Sequence, residues 1–374
     1  MHFGTADHDA PGPVGRRPEK QPTIRDVARL AGVSHMTVSR VINGENGVRP
    51  QTRERVEHAV RELRFAPSPV ARALSSAEPA RIALLHRFPN PGSLGEYIVR
   101  LLQASTRAHA SLIVHEVLEP EDDRQAVEDL IGRGVRGVIL APPLGDDRML
   151  VGLLRAAGMA IVATGATHEW SNVSTIGIDE RGAARTMTEH LLALGHRRIA
   201  FIKGRETHAS SAFRLEGFLQ ALAAAGRTCH DELIEKGLFT YQSGIAATER
   251  LLALGRPPTA IFASNDDMAA GAIAAAHRRG IDVPRDLSVC GFDDSPLATT
   301  IWPELTTIRQ PTAELTERAF AMILEEISNR SGDAAPRSTQ LDHLLVARAS
   351  AGPPPEAQGK PAARSANTGP HHDD

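Results

Sequence analysis

The sequence predicts two architectures in one chain: a small all-α module over residues 22–67, then a larger doubly wound α/β region in two lobes over residues 80–350. Three observations predict it. At 374 residues the chain exceeds what one ordinary hydrophobic core organises. From 23 to about 65 the pattern is helical, with breaks at Gly32 and at 43–47. From Arg81 onward, short apolar runs alternate with longer amphipathic segments, the signature of strands crossing over through helices.

In the first module, Thr23 followed by Asp26 has the spacing of a helix N-cap with an acidic partner at the third helical position. Val27, Ala28, Leu30 and Ala31 then form one apolar face. Gly32 tolerates the positive φ at which a helix stops, Val33 packs inward, and Ser34 caps a second helix. In that helix Val38, Val41 and Ile42 point one way, while His35, Met36, Ser39 and Arg40 face the other. A short helix with an apolar back and a polar, cationic front suits a DNA major groove. Thr37, Ser39 and Asn43 carry short donors of the kind that fix phosphates. A small helical domain whose polar face merely meets water remains the plainer alternative.

For the larger region the expected strands are 82–86, 112–117, 137–141, 160–163, 174–178, 199–202, 260–263 and 287–291. The expected helices are 95–110, 124–133, 149–157, 180–194, 213–225, 241–253 and 266–279. Two blocks of this alternation argue for two lobes, with ligands at the C-terminal ends of the strands. Residues 1–21 and 351–374, rich in Pro, Gly and charge, read as disordered tails, and 68–79 reads as a linker.

Charge is placed unevenly. Residues 16–74 carry twelve Arg/Lys against six Asp/Glu, a net of +6, in a chain of formal charge −3. A basic segment on an acidic body points to a polyanion at one end, or to a solvated basic tail. Cys229 and Cys290 are far apart and lack metal-ligand spacing, which fits a reducing cytoplasm. No apolar run reaches the roughly eighteen residues of a membrane span, and the N-terminal residues lack the apolar core of a signal peptide.

The stretch TIRDVARLAGVSHMTVSRVING, followed by VRPQTRERVEHAVRELRFAPSPVARAL, resembles the headpiece of the lactose-repressor/galactose-repressor family of bacterial transcriptional regulators. The resemblance extends, less tightly, to about Arg348 through EHLLALGHRRIAFI, SAFRLEGF, FASNDDMAAGA, VCGFDDSPLA and LTTIRQP. It implies a periplasmic-binding-protein-like core and a homodimer bound to double-stranded operator DNA. His35, Met36 and Arg40 then occupy base-reading positions, and Thr23, Ser34, Thr37, Ser39, Asn43 and Thr52 take phosphate roles. The resemblance also implies a hinge helix at 68–76 that forms only on the correct DNA, with Leu74 as a minor-groove wedge and Ala71 and Arg72 matching the family's pattern. Ser68-Pro69 stands where the family's Asn is usual, and it still supplies an N-cap and a Pro at the first helical position. A plain linker is the alternative there.

In the core, Arg214, Asn265, Asp293 and Gln310 match effector-contacting residues of the family by position, and Ser210 and Phe239 match more weakly. An Arg with carboxylate and amide groups can satisfy vicinal hydroxyls, and Phe239 could stack on a ring, so the expected effector is a sugar or sugar derivative. Taken singly, each has a plainer reading. Arg214 could pair with Glu216 on a helix surface, Asp266 reads as the N-cap of the next helix, and Asp294 reads as a loop cap. The first lobe departs from the family's paired aromatics: its segment at 90–94 is Asn-Pro-Gly-Ser-Leu, and Gly165 stands where some relatives carry an acid. No Gly-rich phosphate loop with Lys, no His-Glu-x-x-His and no Gly-x-Ser-x-Gly elbow occurs. No enzyme, cofactor or metal site is therefore expected. His196 reads as a turn residue at a helix end, and His277 as a helix C-terminal residue.

Overall fold

A computed structural model describes residues 23–42, 48–63, 79–87, 91–167, 170–329 and 335–355. The expected N-terminal tail, Asn43, and the hinge with Ala71 and Leu74 lie outside the described residues. The chain divides into two compact units, Met1–Ser75 and Ser76–Asp374.

The first unit packs α1 (Ile24–Ala31), α2 (His35–Ile42) and α3 (Pro50–Glu62). The capping pair forms as its spacing predicts: the Thr23 amide and hydroxyl both donate to Asp26 Oδ2, at 2.9 and 2.6 Å. Gly32 ends α1 at φ 62°, and Ser34 Oγ accepts the Thr37 amide at 3.1 Å to start α2. Pro50 opens α3 at the first helical position, where its missing N–H leaves no bond unmade. The core consists of Val27, Ala28, Ala31, Val38, Val41, Val56 and Ala59. Arg55 reaches back from α3 to donate to Ala31 O at 3.0 Å, pinning the turn between α1 and α2.

The second unit is the expected two-lobed α/β body. Its first sheet is wholly parallel and comprises β1 (Arg81–His86), β2 (Ser111–Glu116), β3 (Gly137–Leu140), β4 (Ala160–Thr164), β5 (Ser174–Ile178) and β11 (Ser338–Leu341). They lie in the order β11-β5-β4-β3-β1-β2. Ile82, Ala83, Leu84 and Leu85 are all fully buried, because helices cover both faces of the sheet. The helices are α4 (Pro91–Arg107), α5 (Asp123–Gly132), α6 (Arg148–Ala156) and α12 (Thr312–Ser328).

The second sheet, also parallel, holds β6 (Ile199–Lys203), β7 (Ile234–Lys236), β8 (Ala260–Ala263) and β9 (Ser288–Cys290) in the order β7-β6-β8-β9. It packs with α7 (Glu180–Ala193), α8 (Ala209–Ala224), α9 (Tyr241–Leu252), α10 (Asp266–Arg278) and the short α11 (Leu297–Thr300). Phe201 stacks on Phe218 at 5.0 Å and meets Phe262 edge-on at 5.2 Å in its core. The chain passes between lobes three times. It leaves β5 for α7, returns from β10 (Thr307–Arg309) into α12, and leaves β11 for β12 (Leu344–Val346), which pairs antiparallel with β10.

Two expectations need correction. Residues 351–355, expected as the start of a tail, are ordered instead, with Gly352 and Pro354 buried against the second lobe, and 356–374 lie outside the described residues. His196, expected as a turn residue, is the buried anchor of that segment. Its ring nitrogens lie 2.9 Å from Thr259 Oγ1, 3.0 Å from Ser288 Oγ and 2.8 Å from Gly352 O. The elements not expected from sequence are β7, β10, β11, β12, α11 and α12.

Candidate DNA-binding surface and effector cleft

In the first unit, the α2 face opposite Val38 and Val41 carries His35, Met36 and Arg40, all exposed, with Met36 61% exposed. A long apolar side chain is thus exposed beside an imidazole and a guanidinium, on a helix whose opposite face buries Val38 and Val41. Ser34, also exposed, precedes the first turn, and Thr37, Ser39 and Thr52 are half-buried. Ser34 and Thr37 hydroxyls lie 2.9 Å apart, so the cap and its neighbour form one small polar cluster at the helix N-terminus.

In the second unit a cavity of about 140 Å³ opens between the lobes at the C-terminal strand ends. Ser210, Arg214, Asp293 and Gln310 all line it, brought together from α8, the loop after β9 and the end of β10. Glu96, Tyr97, Pro142, Thr164, Gly165 and Leu315 form the facing wall, and Glu180 sits at the first crossing between lobes.

Arg214 is 5% exposed and is not the surface pair with Glu216 that its helix position allowed; Glu216 pairs instead with Arg181 at 2.7 Å. Arg214 Nε and Nη2 donate to the two Glu180 oxygens at 2.7 and 3.2 Å, and Nη1 donates to Ser264 O at 2.5 Å. Its guanidinium lies over the Phe292 ring at 3.6 Å, and Asp293 Oδ1 stands 3.8 Å from Nη1. Burial alone would lower the Arg214 pKa; Glu180, Asp293 and Asp266 more than offset it and raise it.

Asp293 and Asp294 both take positive φ, 114° and 54°, a costly backbone for two acids in a row. Their partners hold it. Gln310 Nε2 donates to Asp293 Oδ1 at 2.7 Å, while Asp294 is ion-paired with Arg309 at 2.5 Å and Arg348 at 2.6 Å. Asp294 is thus the centre of an ion-pair set, not the loop cap expected. Burial raises the Asp293 carboxyl to about 6, against the lowering influence of Arg214 and Gln310.

Asp266 is corrected likewise. The N-cap of α10 is Asn265, whose Oδ1 accepts the Met268 amide at 3.0 Å. Asp266, one residue on, is buried and accepts the Thr307 hydroxyl at 2.6 Å and the Ser295 amide at 2.7 Å, tying α10 to β10. Burial and the neighbouring Asp293 raise it well above the usual carboxylate range.

Asn265 and Phe239 do not line the cavity. Asn265 Nδ2 donates to Phe239 O at 3.1 Å. Phe239, at φ 61°, is buried with its ring 5.2 Å from that of His208. His208 is held down to about 4 by burial and by the charges of Arg205, Arg214 and Arg87.

Sequence reasoning missed Glu180, Glu96, Tyr97, Thr164, Ser295 and Leu315. Glu180 had a usable signal: Asp179-Glu180 follows directly on an apolar strand, where ligand groups collect. Tyr97 had none, since only the fold brings its hydroxyl to Thr164 Oγ1 at 2.5 Å, 67 residues away. Among the described residues, no three His, Cys, Asp or Glu are placed to hold a metal ion, and no helix is long and apolar enough to cross a membrane.

A helix-turn-helix unit and a two-lobed cleft in one chain define the class of helix-turn-helix transcriptional regulators with a periplasmic-binding-protein-like core. Residues 23–68 match the family described as bacterial regulatory proteins, lacI family, and residues 188–351 match the periplasmic binding protein-like domain. The HTH-type transcriptional regulator CelR of Thermobifida fusca is 35% identical, over 87% of this chain and 98% of its own. Catabolite control protein A of Priestia megaterium is 31% identical, over 88% and 98%. Among solved structures, a CelR–cellobiose complex superposes with a TM-score of 0.67 at 31% identity, covering 88% of this chain and 99% of that one. A lac repressor dimer bound to operator and the anti-inducer ONPF gives 0.67 at 29% identity, covering 89% and 100%. The chain belongs to the lacI family of bacterial regulatory proteins.

Proposed function

We propose that the chain is a cytoplasmic, non-enzymatic repressor of sugar uptake or metabolism genes. It binds a pseudo-palindromic operator as a homodimer, and a sugar-like effector in the cleft sets its operator affinity. His35, Met36 and Arg40 read base edges, while Thr23, Ser34, Thr37, Ser39, Asn43 and Thr52 position the duplex. Ala71 and Leu74 enter the minor groove; the Leu74 wedge costs unstacking energy that contacts to the bent DNA offset. One observation carries the effector half: Ser210, Arg214, Asp293 and Gln310, from separate elements, converge on a single inter-lobe cavity. Lobe closure changes the spacing of the paired headpieces, and the effector acts only to the extent that it binds the open and closed lobes unequally.

Selection of binding sites from random duplex DNA, followed by anisotropy titration with and without a sugar panel, tests the reading. A two-fold symmetric site whose affinity changes with one sugar is the expected result, and an affinity indifferent to every sugar defeats the effector half. Leu74→Ala should keep fold and dimer yet weaken operator binding strongly; unchanged affinity removes the wedge.

A further inference from the structure

Among the described residues, the charges lining the inter-lobe cavity are one-sided: apart from Arg214, they are all carboxylates, Glu96, Glu180 and Asp293. Arg214 is the family-matched group that would meet an anion, and its Nε–Nη2 fork is already committed. Of its five N–H donors, two go to Glu180 and one to Ser264 O, its face is covered by Phe292, and Asp293 flanks Nη1. Glu96 is only loosely offset by Arg100 at 3.7 Å, itself exposed to solvent.

We propose that this cavity takes a polyhydroxylated effector with no anionic group, neutral or amine-bearing, and that Glu180 is the residue that enforces this by occupying Arg214. The proposal rests on the sugar-effector reading above and specifies the charge class of that effector. Phosphate and carboxylate groups are held in proteins chiefly by guanidinium forks free to offer two parallel N–H bonds. Here the fork faces Glu180, so an incoming anion would meet carboxylates in a site screened from water, where like charge is most repulsive. Sugar hydroxyls and ammonium groups are donors, and the carboxylate oxygens of Asp293, Glu180 and Glu96 are acceptors for them. Asp293, with Gln310 bound on one oxygen, keeps its other oxygen for such a donor.

The test is a thermal-shift panel at pH 7.5 on the full-length protein. It uses matched sets built on several hexoses and disaccharides: the parent sugar, its amino sugar, its phosphate and its uronic acid. Every ligand that stabilises the protein should be a parent or an amino sugar; a phosphate or uronate that binds more tightly than its parent overturns the proposal. A panel with no hit of any kind overturns the sugar reading instead. The charge assignment is then decided by inorganic phosphate alone, measured calorimetrically. The native protein should show no saturable phosphate heat, and saturable phosphate binding that Arg214→Lys abolishes would overturn the assignment. In Glu180→Gln, which frees Arg214 while preserving shape, anion binding should strengthen by about tenfold or more. If that variant does not fold, the panel on the native protein decides alone.

Discussion

The two walls of the cleft are built by different physics. The second-lobe wall is ionic and interlocked: Glu180, Arg214, Asp293 and Gln310 form one run of hydrogen bonds and ion pairs at 2.7–3.8 Å, and beside it Asp266 accepts the Thr307 hydroxyl at 2.6 Å. Among the described residues, the first-lobe wall carries one charged side chain, Glu96, and no interlocked ion pairs. Pro142, Thr164 and Gly165 offer little surface, and Tyr97 spends its hydroxyl on Thr164. The contrast teaches where rigidity and adaptability lie. Orientation of a ligand is set by the second lobe, whose charged groups are held in place by one another, and the shape of the site is set by the first, where few polar contacts would resist a change.

The largest test of that contrast is Glu180→Ala. It leaves a guanidinium that is 5% exposed without its bidentate partner, and such losses cost about 3–5 kcal/mol. Urea unfolding should register a loss of that size. Replacing both residues with Met should recover most of it, because a well-packed apolar pair avoids the desolvation of both ions. A mild effect of Glu180→Ala alone would mean the ionic wall is not interlocked.

On the opposite wall, Gly165→Ala probes shape instead of charge. Gly165 sits at φ 58°, and a Cβ there would lie 2.7 Å from Pro142 Cγ. The backbone strain and the displaced Pro142 should together cost about 1–3 kcal/mol, read as a lower midpoint in the same titration. Tyr97→Phe is smaller still. It removes the bond to Thr164 Oγ1, while Thr164 keeps its own bond to Leu140 O at 3.0 Å, so a loss of about 1 kcal/mol is expected. If Tyr97→Phe costs more than Glu180→Ala, the assignment of rigidity to the second lobe is reversed.

These residues also mark how far the sequence could be read. Strand–helix alternation made both lobes legible, and the Thr23–Asp26 and Ser34–Thr37 spacings made the first unit legible, because caps and periodicity are local. Helix α12 escaped although Leu315, Ala319, Phe320, Ile323, Leu324 and Ile327 repeat at helical spacing. It follows second-lobe strands yet packs on the first sheet, so the alternation rule gave it no place. Strands β7, β10 and β12 span three residues each and pair across long separations, which leaves no periodicity to detect. Arg214, Asp293 and Gln310 were found through resemblance. Their partner Glu180 was not, because an ion pair 34 residues apart is set by the fold and not by spacing. The cap of α10 was misplaced by one residue for a similar reason. Asn265 and Asp266 are both good caps, and only the Met268 amide and the Thr307 hydroxyl decide which of them turns inward.

The smallest expected effect lies within the second-lobe wall and is read by pH. Asp293 is raised from 3.8 to about 6 in the folded protein, so it binds protons more readily folded than unfolded. Its stabilising contribution is therefore full below pH 4 and is lost as pH rises through about 6. Asp266, also raised, acts in the same sense. His208, lowered from 6.5 to about 4, acts oppositely: stability is lost as pH falls from 6.5 through about 4. Between pH 4 and 6 the acids and the imidazole offset one another, and the Tm of the native protein should change less there than either group alone would dictate. Asp293→Asn removes one raised acid and relieves Asp266 of its charged neighbour. Its Tm should then fall more steeply than that of the native protein on acidification below pH 6, because the His208 contribution is no longer opposed. His208→Gln should show the reverse, holding or gaining Tm as pH drops towards 4. Parallel Tm–pH curves for the native protein and Asp293→Asn would mean that solvent screens the Asp293 carboxylate after all, and that the acidic wall is less shielded from water than its ion pairs require.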